Sequence, residues 1–175
     1  QGIDVTISTG DKDFAQLVRR SPDGTGIALT NTMTGSRMAD DAAVMEKFGV
    51  RADQVVDLLA LMGDTVDNVP GVEKCGPKTA AKWLAEWGNL DSVIANADGF
   101  KGKLGENLRA ALHRLPLNRT LATIRTDVPL DVGPADLAPR ARHVDALRTL
   151  YTRYGFNQAL REQDGGNGTV PGAAA

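Results

Sequence analysis

The chain has 175 residues and 18.5 kDa, 42% hydrophobic and 24% charged, the balance of a soluble globular domain long enough to bury a real core. No run approaches the ~18 apolar residues of a membrane helix, and the first residues lack the charged, apolar, small-residue series that would mark a signal peptide. One cysteine and two histidines exclude a disulfide framework and a cysteine-built zinc site.

Ile3, Val5 and Ile7 alternate as a half-buried strand does, so the chain is expected to enter in mid-fold and to be a piece of something longer. Ser8 to Asp11 breaks this strand, and Asp13 is expected to cap a short helix bearing Phe14, Leu17 and Val18. A turn at Ser21 to Gly24 precedes a second strand, Ile27 to Leu29, and Thr34-Gly35 turns again. From Asp40 onward the pattern is helical. One helix carries Ala43, Val44, Lys47 and Phe48 to a stop at Gly49, and the next, Val55 to Met62, is apolar almost all round. After the loop Asp64 to Gly71, Pro77 opens a helix that runs to Gly88. Further helices are expected over 90–97, 106–115, 117–124 and 144–154. An edge strand is expected over 128–132, and a low-complexity, mobile tail from Gly165. There is no internal repeat.

Charge is unevenly spread. Residues 1–100 carry 9 Lys/Arg against 15 Asp/Glu, and residues 101–175 carry 11 against 7. An acidic front and a basic rear suit a site that holds cations in one place and contacts phosphate in another, although an ordinary uneven surface gives the same count.

Two carboxylate pairs stand out. Asp11 and Asp13 flank Lys12 on the turn after the first strand, where open α/β sheets place ligands. Asp64 and Asp67 follow the apolar helix, and a spacing of three brings them to one side if a helical turn persists. A hard divalent cation would offset the repulsion within each pair. A helix cap with a solvated neighbour, or an Asx turn, accounts for each pair equally well when it is taken alone.

The stretch Pro70 to Ala80 resembles a phosphate loop only superficially. Pro77 separates the second glycine from Lys78, and a helix rather than a strand precedes it. It reads instead as a tight glycine hairpin between two helices. Gly71 and Gly76 allow close approach of a ligand, and Lys78 and Lys82 can track successive phosphates. Trp83 and Trp87 are read as core, Cys75 as a small buried hydrophobe, and Arg109, Arg114, Arg119 and Arg125 as solvated helix surface.

At Ile7 to Val18, Asn31 to Thr34, Ala60 to Val72, Gly76 to Ala80 and Leu121 to Asp127, the sequence resembles the 5′-nuclease domain of bacterial DNA polymerase I. The match runs from about Ile3 to Glu162, with the motifs in order. The resemblance implies an α/β, mostly helical fold, in which a partial PIN-like nuclease core precedes a helix-three-turn-helix DNA-binding region over Val56 to Gly88. The expected segments are 1–39 (nuclease core), 40–130 (DNA-binding region), 131–162 (a strand and helices packing on the core) and 163–175 (flexible tail).

The resemblance also implies a structure-selective 5′–3′ exonuclease or flap endonuclease that serves primer removal and repair by a two-metal mechanism. Two Mg²⁺ or Mn²⁺ ions act in the complete domain, and Asp11, Asp13, Asp64 and Asp67 bind the more weakly held one. Gly71, Val72, Lys74, Gly76, Lys78, Thr79 and Lys82 are expected against the duplex backbone, with K⁺ held by hairpin carbonyls. The partners implied are duplex DNA with a 5′ end or flap, the N-terminal half of the nuclease domain, and polymerase domains, with no membrane. The implied place is the bacterial cytoplasm, at the nucleoid.

Lys74 departs from the family pattern, which has glycine there. The earlier carboxylates are absent from this chain, which therefore holds part of an active site. The rival expectation is a non-catalytic helix-hairpin-helix DNA-binding module whose carboxylates are structural.

Overall fold

The computed structural model describes residues 2–139 and 141–165, arranged as two compact units, Gln1–Asp127 and Val128–Ala175. In the first, strand β1 (Val5–Ser8) runs parallel to β3 (Gly26–Asn31), pairing Ile7 with Leu29. Two short strands, β2 (Arg19–Arg20) and β4 (Ser36–Met38), pair antiparallel with β3, so the sheet has four strands where two are expected from the sequence. At two and three residues these strands are too short to show an alternating pattern.

Between β1 and β2 lies a 3₁₀ helix, Lys12–Leu17. Its cap is Asp11 rather than the expected Asp13. Asp11 keeps extended backbone angles and its carboxylate accepts the Asp13 amide, whereas Asp13 already lies inside the first turn.

Helix α1 (Asp41–Phe48) is capped by Asp40 and closed by Gly49 in the left-handed region. Helix α2 (Val55–Met62) is the centre of the unit. Leu58, Leu59, Ala60 and Leu61 are buried and pack against α3 (Pro77–Trp87) and α6 (Leu115–Ala122). Leu84, Leu90, Val93, Leu108 and Leu115 complete the core, with contributions from α4 (Leu90–Ala95) and α5 (Gly102–Ala111). Trp83 and Trp87 both pack on Phe100, as core residues do, and Cys75 is buried with its thiol pushed up to about 12 by desolvation.

Several boundaries move. Helix α4 stops at Ala95 and a 3₁₀ turn, Ala97–Gly99, follows. Helix α5 starts four residues before the expected Glu106, and α6 takes Pro116 into its first turn, where a missing N–H costs nothing.

The second unit holds a 3₁₀ turn (Pro134–Asp136) and a helical hairpin, α7 (Val144–Tyr154) and α8 (Asn157–Gly165), turned by left-handed Gly155. Residues 128–132, expected as an edge strand, are irregular. The expected tail lies outside the described residues beyond Gly165.

Candidate metal centre and duplex-binding hairpin

Helix α2 ends at Gly63, and the chain reverses at once. Strands β5 (Gly63–Asp64) and β6 (Val69–Pro70) form a two-residue antiparallel ladder, so Asp64 and Asp67 sit on a β-hairpin instead of the expected helical turn. The reversal is tight because the backbones of Gly63 and Gly71 meet where neither carries a Cβ. A Cβ on Gly71 would lie 2.2 Å from the Met62 carbonyl carbon, and one on Gly63 would lie 2.3 Å from the Gly71 nitrogen. Gly71 therefore serves close approach of the chain to itself.

Gln16 fixes the 3₁₀ helix against the end of α6, donating to the Ala122 carbonyl (2.9 Å) and accepting the Ile124 amide (3.0 Å). This brings Asp13 to the β5–β6 hairpin. Carboxylate oxygens of Asp13, Asp64 and Asp67 lie within 4.8 Å of one another, beside a cavity of about 160 Å³ lined also by Leu59, Val69, Leu121 and Ala122. Asp11 is not among the three. Its carboxylate is engaged as the helix cap.

Lys12, between the two front aspartates, donates to Asp64 and lies 3.8 Å from Asp13. That bond holds the Asp64 carboxyl below the usual carboxylate range, with help from the Val66 amide against the cost of burial. Asp13 is pushed the other way, first by desolvation and then by Asp11, with Lys12 opposing. One Asp13 oxygen is buried without a hydrogen-bond partner among the described residues. An orphaned carboxylate oxygen among three converging carboxylates is a hard, all-oxygen donor set, which fits Mg²⁺ or Mn²⁺.

Past Gly71 the chain makes the second hairpin, leading into α3. Lys74 has φ of 65°, the left-handed conformation that favours glycine. Lys74, Gly76, Lys78 and Lys82 are exposed, and space around Gly76 is open, with nothing within 4 Å of a Cβ placed there. Thr79 is half-buried. Val72, by contrast, points its side chain into the core, and its amide donates to the Leu61 carbonyl (2.7 Å).

The loop carbonyls are held by the chain itself. Asn118 donates to Ala60 (3.1 Å) and Pro70 (2.6 Å), Arg114 to Gly71 (3.0 Å), and Asn107 to Glu73 (2.8 Å). A K⁺ ion on the Gly71 carbonyl would share that oxygen with the Arg114 guanidinium, which donates to it at 3.0 Å, and the like charges would repel. The Arg114 charge therefore disfavours a monovalent cation at the Gly71 carbonyl.

The arginines read from sequence as solvated surface are mostly internal braces. Besides Arg114, Arg109 donates to the Ala97 and Phe100 carbonyls, and Arg119 to Asp57 and Asp91. Only Arg125 keeps to an exposed pair, with Asp127. Asp57 also accepts the Leu90 amide at the start of α4. A lone carboxylate inside an apolar run was the one sequence signal for this buried pair. Nothing local distinguished Lys12, Asn107, Arg114 or Asn118.

The family model for the 5′–3′ exonuclease, C-terminal SAM fold, matches residues 50–145. DNA polymerase I of Pseudomonas aeruginosa is 47% identical over 168 residues, covering 89% of this chain and 17% of that protein. DNA polymerase I of Lactococcus lactis is 41% identical over 160 residues, covering 89% and 18%. The chain thus spans less than a fifth of the length of these relatives. Among solved structures, T5 5′-exonuclease with divalent metal ions (zinc) bound is similar at TM-score 0.61 and 26% identity, over 68% of this chain and 42% of that one.

Proposed function

We propose, from the premise that this chain belongs to the 5′–3′ exonuclease family, that it grips duplex DNA and contributes part of a two-metal site for cutting DNA at 5′ ends and flaps. The observation that carries this reading is the convergence of Asp13, Asp64 and Asp67 at the end of a largely buried helix, directly beside the hairpin that leads into α3.

Asp13, Asp64 and Asp67 would hold a Mg²⁺ or Mn²⁺ ion, with Asp11 fixing the turn that presents Asp13. Such ions lower the pKa of a bound water and stabilise the leaving oxygen in phosphodiester hydrolysis. The chain's own groups do the rest. Helix α2 anchors the strand that carries Asp64, Lys12 balances the charge of the cluster, and the buried Leu59 and Ala122 limit water at its floor. Lys74, Lys78 and Lys82, with Gly76 and Thr79 at the start of α3, would contact successive backbone phosphates, an interaction that positions a duplex without reading its sequence.

The proposed partners are DNA with a 5′ end or flap, polymerase domains, and the remainder of the nuclease domain in the bacterial cytoplasm, at the nucleoid. The edge strand β1 supports that last partnership. Parallel strands are ordinarily covered on both faces, yet Val5 of β1 is 40% exposed, as is Ile3 just ahead of it at 49%.

One observation favours a non-catalytic DNA-binding module: Lys12 already neutralises Asp64. Asp67→Asn in the complete nuclease domain separates the two. Metal-dependent flap cleavage should fall at least about a hundredfold, as loss of an electrostatic stabiliser does, while duplex affinity changes little. Cleavage at the wild-type rate would refute the metal assignment.

A further inference from the structure

Every carbonyl from Pro70 through Glu73 accepts a hydrogen bond from within the chain. Pro70, Gly71 and Glu73 accept from Asn118, Arg114 and Asn107, and Val72 accepts from the Cys75 amide (3.0 Å). One of these four donors is a permanent cation. The peptide unit it touches is held from both sides, since the Gly71 carbonyl accepts from Arg114 while the Val72 amide of the same unit donates to Leu61. Charge on the acceptor side polarises that amide and strengthens its bond to α2. The Arg114 Nε is buried without a hydrogen-bond partner among the described residues, and the neighbouring Asn118 and Arg119 anchor α6, which Arg114 precedes, to α2.

We propose that Arg114 is a built-in cation of the duplex-binding hairpin, taking the part of a loop-bound monovalent ion, so that the grip of this chain on DNA does not depend on K⁺. The proposal rests on the duplex-binding reading above. Arg114 is a positioning residue here, acting through the backbone of Gly71 and Val72. Asn107 and Asn118 each occupy one lone pair of the flanking Glu73 and Pro70 carbonyls, so Arg114 brings the only full charge that the hydrogen bonds to these four carbonyls supply.

The test is fluorescence anisotropy of this chain with a labelled 5′-flap duplex, in chelator, at one ionic strength set with either KCl or tetramethylammonium chloride. The wild-type dissociation constant should agree within about twofold between the salts, and R114M, which keeps the apolar stem, should weaken about tenfold in tetramethylammonium and recover most of that in KCl. Recovery by K⁺ is a readout that a purely structural loss cannot produce. R114K, a charge without the planar fork, should lie between.

A wild-type affinity that falls fivefold or more without K⁺ would overturn the proposal, as would R114M matching wild type in both salts. Equal weakening of R114M in both salts, with its thermal melt intact, would make Arg114 a phosphate contact instead and also overturn it. Should the wild-type chain fail to bind duplex in either salt, the duplex-binding reading itself falls.

Discussion

Replacing Asn118 with alanine tests whether the two hairpins are held by hydrogen bonds or by packing. Asn118 is 1% exposed, and its Nδ2 donates to the Ala60 and Pro70 carbonyls. Truncation orphans both acceptors, at about 1–3 kcal/mol for each one that water cannot reach. The Ala60 carbonyl lies in the core and should carry the full penalty, whereas Pro70 is exposed enough for partial rehydration. The expected loss is therefore about 2–4 kcal/mol, or a melting point lower by roughly 5–15 °C for a chain of this size. Urea unfolding followed by circular dichroism measures it. N118L fills the space without restoring a donor, so it should remain at least about 2 kcal/mol less stable than wild type. A cost below about 1 kcal/mol for N118A, or full recovery in N118L, would show that volume and not hydrogen bonding holds this position.

Gly71→Ala should disrupt the β5–β6 ladder and cost at least about 3 kcal/mol, because its Cβ would collide with the Met62–Gly63 backbone. Gly76→Ala should leave the melt within about 1 kcal/mol while weakening duplex binding; a G71A variant as stable as G76A would refute the packing argument. Lys74→Gly should relieve the left-handed strain, giving a stability change between zero and about +1 kcal/mol, and should lower the salt dependence of duplex binding by about one counterion. A destabilised K74G, or an unchanged slope of log affinity against log salt, would contradict this. Asp64→Asn should destabilise at neutral pH, because a carboxyl held below its ordinary value contributes stability above that value and loses it as pH falls through the folded one. Asp13→Asn should have the opposite sign, since a raised carboxyl is destabilising while ionised and that cost vanishes in acid. Thermal melts of the two variants at pH 7, in chelator, check both signs.

Much of this protein is written in local pattern. The helices over 41–48, 55–62, 77–87 and 144–154 follow from apolar spacing and from caps one or two residues away, information that a short window contains. The aspartate and glycine motifs, in their order, carried the family as well. What escaped is non-local or very short. Strands of two and three residues exist only because β3 supplies their hydrogen bonds. Asp64 and Asp67 look like a helical turn until β6 folds back on β5. Gly71 looks like a ligand-facing glycine until Met62 and Gly63 occupy that space. The decisive contacts join residues 52 apart for Lys12 and Asp64, 58 apart for Asn118 and Ala60, and 43 apart for Arg114 and Gly71. Composition and order determine which side chains can hold a cation or a phosphate. Which of them face a ligand, and which are turned inward to satisfy the chain's own carbonyls, is settled only when the core closes and every buried polar group must find a partner.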